Sequence, residues 1–138
     1  MKNWIILFGF AFALFVSCKN EQIVTDDNIY HTWEAKSFIS VESVAYPKKE
    51  GVAILLTFKR DGTYYLKLDV NTCLGDFERG DNKSITIDYP PCTEKCCDSE
   101  FSNKLAAMLS KVTTYRITGD HLYLSVPEWG DIKLERRD

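Results

Sequence analysis

The chain has 138 residues, of which 17 are Lys or Arg and 20 are Asp or Glu, and its formal net charge is −3 at neutral pH. A mildly acidic chain without a cluster of basic residues gives no support for nucleic-acid binding, which needs a basic patch facing the phosphates. The length is enough for one domain with a single hydrophobic core and too short for two.

The N-terminal segment MKNWIILFGFAFALFVS has the pattern of a secretory signal. A basic residue, Lys2, precedes an unbroken apolar run from Trp4 to Val16, and the small residue Ser17 follows it. The apolar run is too short for a transmembrane helix, which needs about 20 residues. We therefore predict that residues 1–17 are a signal peptide and that the mature chain starts at Cys18.

The stretch Phe15-Val16-Ser17-Cys18 resembles the lipobox of bacterial lipoproteins. The resemblance implies that Cys18 carries acyl chains such as palmitate, which bind the protein to a membrane. The protein would then be exported and lipid-anchored. The alternative is ordinary cleavage that leaves a free Cys18. Lipidation is favoured, because a single Cys at this boundary has little other reason to be there. We expect a location in the cell envelope, with the outer membrane of a Gram-negative bacterium preferred over the inner one.

Residues 18–28 are polar and lack periodicity, so we predict a flexible tether between the lipid and the domain. From residue 29 to residue 138 the chain is rich in short apolar segments separated by turn residues. This pattern predicts a mainly β domain, a small antiparallel barrel or strongly curved sheet with one helix packed against it. The pair Lys48-Lys49, followed at once by Glu50, predicts a solvated loop. The predicted strands cover residues 30–41, 53–58, 64–70, 73–78, 85–89, 113–117, 122–126 and 132–136.

A single helix is predicted after the fifth strand. Its N-terminal cap is Asp98 or Ser99, and Glu100 lies in the first turn, where negative charge suits the helix dipole. Apolar residues recur at helical spacing and form one stripe that should face the sheet. The stripe consists of Phe101, Leu105, Met108, Leu109 and Val112.

Several segments then stand in an order that is found in a known family. Trp33 near the first strand is followed by LLTFKRDGTY, NTCLGDF, TEKCCDSEF and finally YRITGDHLYLSVPEWGDIKLER. In this order they resemble the META (HslJ-like) domain family over about residues 29–136. The resemblance implies a barrel-like domain that is common in bacterial envelope lipoproteins. It also implies a link with stress and antibiotic tolerance or with secretion and virulence, and no enzymatic activity.

Four cysteines remain once Cys18 is set aside for lipid, and we predict that they form disulfides outside the cytosol. Their spacing lacks the paired Cys-x2–4-Cys knuckles of zinc ribbons and the Cys-x-x-Cys of thioredoxin-type centres. A bond between adjacent cysteines would strain its own peptide link, so Cys73 should join Cys96 or Cys97, with Cys92 joined to the other. The family resemblance favours Cys73–Cys96.

The sequence predicts no enzyme, cofactor or metal site. Its two histidines, His31 and His121, stand in isolated positions, and no nucleophile–base pair can be named. Asn71 and Gly75 are read first as backbone-shaping residues. With Trp129, they are also candidates for a binding rim that takes an envelope protein or a small apolar or peptide ligand. The alternative function is thiol-based redox or metal handling by the four cysteines.

Overall fold

The computed structural model of the protein describes residues 28–137. The predicted signal peptide, the lipidation site Cys18 and all but the last residue of the predicted tether lie outside the described residues. Within the described range, no helix is long and apolar enough to cross a membrane.

The described chain forms one antiparallel sheet of eight strands with a single α-helix between the fifth and sixth strands. The strand order across the sheet is β5-β4-β3-β2-β1-β8-β7-β6, so the first and last strands are neighbours at its centre. The elements are β1 Thr32–Ser40, β2 Leu55–Phe58, β3 Thr63–Lys67, β4 Thr72–Arg79, β5 Ile85–Ile87, α1 Glu100–Leu109, β6 Thr114–Thr118, β7 His121–Val126 and β8 Gly130–Arg137.

The two edge strands, β5 and β6, approach each other and almost close the sheet into a barrel. An isolated bridge pairs Ser84 with Thr114. Two backbone hydrogen bonds flank it, from the N–H of Ile85 to the carbonyl of Thr113 at 2.9 Å and from Tyr115 to Lys83 at 3.0 Å. The predicted fold class, a small and strongly curved antiparallel sheet with one helix, is therefore confirmed.

Alternation of apolar and polar residues explains why these strands share one core. In β2 and β3 the buried positions are Leu56, Phe58, Tyr64 and Leu66, each separated from the next on its strand by a less buried residue. Because successive side chains on a strand point to opposite faces, this spacing directs one set of side chains into the barrel. The hairpin between the two strands turns at Gly62, whose φ of 86° lies in the left-handed region that glycine adopts without steric cost.

Helix α1 packs into the same core with the predicted apolar stripe. Ser99 is the N-cap, and its side chain accepts a hydrogen bond from the N–H of Ser102 at 3.2 Å. Of the two predicted caps, Ser99 is thus the correct one, and Asp98 bonds elsewhere. The burial of the stripe places the helix across the interior of the sheet, since all of its members belong to the core: Phe101, Leu105, Met108, Leu109 and Val112.

Candidate functional site

Asn71, one of the predicted rim residues, lies at the start of β4 and is only 7% exposed. Its amide nitrogen donates to the carbonyl of Lys95 at 2.7 Å and to Oδ2 of Asp98 at 2.6 Å. Its amide oxygen accepts from the hydroxyl of Thr93 at 2.7 Å and from the N–H of Lys95 at 2.8 Å. The four hydrogen bonds use the whole capacity of an amide side chain. Asn71 therefore fastens the segment 93–98 to the sheet.

Two carboxylates extend this arrangement to the start of α1. Oδ2 of Asp69 accepts hydrogen bonds from the N–H of Ser99 at 2.7 Å, from its hydroxyl at 2.6 Å and from the hydroxyl of Ser102 at 2.6 Å. Burial opposes ionisation of Asp69, but the hydrogen bonds from Ser102 and Ser99 outweigh it and lower its pKa. A negative charge beside a helix N-terminus is also favourable.

Asp98 completes the cluster, because its Oδ1 accepts from the N–H of Val70 at 2.8 Å. We call this cluster the helix-cap network. It consists of Asp69, Asn71, Thr93, Asp98, Ser99 and Ser102.

The other two rim candidates also have structural contacts. A Cβ at Gly75 would lie 2.6 Å from the ring of Tyr64, so the close packing of this buried ring requires glycine. Trp129 is 8% exposed and its ring centroid lies 5.5 Å from that of Phe38. Gly75 and Trp129 line different cavities, and Asn71 is buried. The structure therefore does not bring the three residues together into one rim.

The cysteine pairing differs from the one the resemblance implied. Cys73 on β4 faces Cys92 in an isolated antiparallel bridge, with their Cα atoms 4.1 Å apart, and the two form a disulfide. The expected Cys73–Cys96 bond is therefore wrong, because the chain after β5 runs back along β4 and brings Cys92 opposite Cys73. The remaining two cysteines, Cys96 and Cys97, lie side by side, which is the pairing that the sequence argument excluded.

The histidines lie apart from any cluster of metal-ligating groups. His31 stands edge-on to Trp33 with ring centroids 5.9 Å apart, and His121 begins β7 opposite Glu135. Among residues 28–137, no three His, Cys, Asp or Glu side chains are grouped so that they could hold a metal ion.

A cavity of about 290 Å³ lies beside the second half of β1 and was not foreseen from the sequence. Its walls come from β1, from the loop 41–48 that follows it, and from Phe101 of α1. The aromatic side is ordered by ring contacts: Phe38 stacks on Phe101 with centroids 4.3 Å apart, and Tyr46 stands edge-on to Phe38 at 5.7 Å. We call this cavity the β1 pocket.

Lys48 is one of the charged residues in the lining of the β1 pocket. Its ammonium donates to the carbonyl of Ala35 at 2.6 Å and lies 4.2 Å from the centre of the Phe101 ring. Burial lowers the pKa of Lys48. Within residues 28–137, no carboxylate lies within ion-pair distance of it, whereas Lys36, the other lysine in the lining, is paired with Glu34 at 2.8 Å.

Glu42, the acid in the lining, is already neutralised by its neighbours. It accepts a hydrogen bond from the hydroxyl of Tyr46 at 2.6 Å and pairs with Lys104 at 3.0 Å. The hydrogen bond from Tyr46, with further hydrogen bonding that includes Lys104, lowers the pKa of Glu42 to about 2. Lys48 therefore makes no ion pair with a described residue, and the carboxylates of Glu34 and Asp69 act on it only at longer range.

Sequence reasoning missed this pocket because its key residues carry no motif. The pattern Lys48-Lys49-Glu50 predicts a solvated loop, and all three residues are exposed in the structure, but the pattern does not indicate the contact of Lys48 with β1. Only the pairing of β1 shows that the loop folds back: β2 leaves β1 after Glu34, and Lys48 bonds the carbonyl of Ala35 at that point.

Comparison with known proteins agrees with this architecture. The sequence model of the META domain matches residues 27–137. The chain belongs to the META domain family. The META domain is also similar in structure to a DUF4847 family protein from Bacteroides vulgatus ATCC 8482, at a TM-score of 0.56 and 15% sequence identity over 80% of this chain and 96% of that one. At this identity the likeness concerns the fold alone. No curated protein sequence matches the chain.

Proposed function

We propose that this META domain protein is a non-catalytic binding or supporting component of the bacterial cell envelope, held at a membrane by a lipid on Cys18. The proposal connects it with envelope stress tolerance or secretion, the processes that the family resemblance implies. Export is supported by the signal-like N-terminus and by the Cys73–Cys92 disulfide, because such bonds persist outside the cytosol.

The observation that supports a binding role is a difference in hydrogen bonding: one group of polar side chains is fully bonded within the fold, and another is not. In the helix-cap network, Asn71 and one oxygen of Asp69 are fully engaged by neighbours within the fold. In the β1 pocket, the ammonium of Lys48 donates to one described acceptor, the carbonyl of Ala35, and makes no ion pair in the described chain. An ammonium has three donors. A cavity with an aromatic wall and a charged group that makes no ion pair suits recognition of a ligand.

Membrane attachment is tested by changing Cys18 to Ala in the full-length chain. The variant should lose incorporation of labelled palmitate and move from the membrane fraction to the soluble fraction, because the thiol that accepts the lipid is gone. Ser17→Ala is the matched control, since it keeps a small residue before the cysteine and should stay lipidated. Recovery of the Cys18 variant in the membrane fraction, with wild-type yield, would overturn the proposed anchor.

A further inference from the structure

Half of β1 has a partner strand on one side only. On one flank β8 pairs with β1 from Thr32 to Ser40. On the other flank β2 pairs with it only from Thr32 to Glu34, and the last contact is the hydrogen bond from the N–H of Ala35 to the carbonyl of Ile54 at 2.9 Å. Beyond Ala35, no strand within residues 28–137 pairs with this flank of β1, and the β1 pocket lies there.

The direction of the backbone groups follows from the pairing with β8. The N–H of Val41 donates to the carbonyl of Trp129 at 2.9 Å, so Val41 faces β8. Antiparallel ladders alternate between residues that bond the neighbouring strand and residues that point away from it. Ile39 therefore also faces β8, whereas the N–H and C=O groups of Phe38 and Ser40 point to the opposite flank. Both residues line the β1 pocket.

These groups form a short unpaired sheet edge. No hydrogen bond between described residues engages the backbone groups of Phe38 or Ser40 on this flank. A row of free N–H and C=O groups is a template on which another extended chain can pair. From Ala35 to Ser40 the edge spans roughly 17 Å, at about 3.4 Å per residue, which is enough for about four residues of a peptide.

Lys48 closes one end of this edge. Its ammonium is held on the carbonyl of Ala35, at the point where β2 leaves β1. A carboxylate placed there would give Lys48 the direct ion pair that it does not make with any described residue. An ionised hydrogen bond of this kind is stronger than one between neutral groups.

We propose that the β1 pocket binds the C-terminal end of an extended peptide, which adds to Phe38 and Ser40 as a short antiparallel strand and places its terminal carboxylate on Lys48. With the carboxylate at Ala35, the peptide runs in its N-to-C direction from Ser40 past Phe38 to Ala35, which is opposite to the direction of β1. An apolar side chain near the C-terminus packs against Phe38 and Tyr46. The inference rests on the proposed binding function and names its ligand class.

The probe is a set of N-acetylated peptides, Thr-Val-Thr-X, in which X is Phe, Leu or Asp and the C-terminus is either free or amidated. Titration into the ¹⁵N-labelled mature domain is followed by NMR. The Phe and Leu peptides with free carboxylates should shift the amide signals of Phe38 and Ser40. Amidation should weaken binding about tenfold or more, because it removes the negative charge and with it the charge-assisted bond to Lys48.

Two variants distinguish a specific contact with the Lys48 ammonium from a general effect of positive charge on the loop. Lys48→Met should reduce affinity for the free-carboxylate peptides about tenfold and leave the affinity for amidated ones unchanged. Lys49→Met, one residue further along the same loop, is the control and should bind like the wild type. Equal loss with both substitutions, or binding that does not respond to amidation, overturns the assignment of the carboxylate to Lys48.

Strand addition is tested by changing the peptide, so that the fold of the protein is not disturbed. Methylation of the backbone nitrogens that would donate to Phe38 and Ser40 should abolish the shifts, because a methylated nitrogen has no proton to donate. Unchanged binding of the methylated peptide, equal binding of N-acetylphenylalanine alone, or shifts confined to other parts of the domain would overturn the proposal. So would the absence of any shift at millimolar peptide. None of these outcomes depends on lipid attachment, so the anchor and the pocket can fail separately.

Discussion

The helix-cap network and the β1 pocket both lie against the N-terminal part of α1, but they differ in how far their polar groups are hydrogen-bonded within the chain. In the network, Asn71 makes four hydrogen bonds within the chain and Asp69 receives three on one oxygen. In the pocket, the edge of β1 at Phe38 and Ser40 is unpaired within the described residues, and Lys48 has no acidic partner there. The residues in the family-like segment thus build the fold, while the open groups lie on the second half of β1 and on the loop that follows it.

Removing Asn71 gives the largest expected effect on the network. Asn71→Ala should lower the free energy of unfolding by about 3–5 kcal/mol, because it removes four hydrogen bonds made by a buried side chain. The measurement is chemical denaturation of the mature domain. Asn103→Ala, an exposed asparagine of α1, is the control and should change stability by no more than about 0.5 kcal/mol.

The same experiment on the pocket sharpens the contrast. Lys48→Met should change the free energy of unfolding by no more than about 1 kcal/mol, since Lys48 is exposed and loses a single hydrogen bond, to Ala35. A loss as large as that of Asn71→Ala would show that Lys48 is part of the structural framework and would remove the distinction between the two regions.

The cysteine pairs supply the next effect, because they close loops of very different length. Replacing Cys73 and Cys92 together by Ser should cost about 3 kcal/mol, since their bond closes a loop with a sequence separation of 19. Replacing Cys96 and Cys97 together should cost much less, as a pair of neighbours constrains almost no chain in the unfolded state. Denaturation of both double variants under non-reducing conditions checks the order. Equal losses would contradict this pairing.

A smaller effect is expected on the loss of stability at acidic pH. The pKa of Asp69 is lowered below its ordinary value of 3.8, so its carboxylate stabilises the fold above that value and this contribution is lost as the pH falls through the lower, folded-state pKa. Asp69→Asn should therefore flatten the fall in unfolding free energy below about pH 4. Asp76→Asn, at an exposed position of β4, serves as the comparison. An unchanged acid slope in the Asp69 variant would show that the network does not stabilise this charge.

Much of the fold follows from local sequence patterns. Alternation in the segment that contains Tyr64 and Leu66, the glycine at the turn position 62, and the apolar stripe of α1 each specify their own element. The disulfide pairing was not predictable in this way. Whether Cys73 meets Cys92 or Cys96 depends on how the chain after β5 returns along β4, which is a tertiary register.

The pocket was unpredictable for a related reason. A free edge exists only because β2 is shorter than β1 and pairs with it no further than Glu34. The sequence of β1 alone does not indicate how long the neighbouring strand is. Likewise, the pattern around Lys48 is that of a solvated loop, and its contact with Ala35 depends on the path of residues 41–53. By contrast, Asn71 and Gly75 could be singled out from sequence, because each has special backbone and hydrogen-bonding properties.

Amide hydrogen exchange of the free mature domain tests the contrast most directly, since it reports each backbone N–H separately. The N–H groups of Asn71 and Ser99 are bonded to Asp98 and Asp69, whereas those of Phe38 and Ser40 have no described partner. The account predicts that Phe38 and Ser40 exchange at least about 100-fold faster than Asn71 and Ser99, relative to their intrinsic rates. Protection of Phe38 and Ser40 equal to that of Asn71 would contradict it, because the edge of β1 would then be closed.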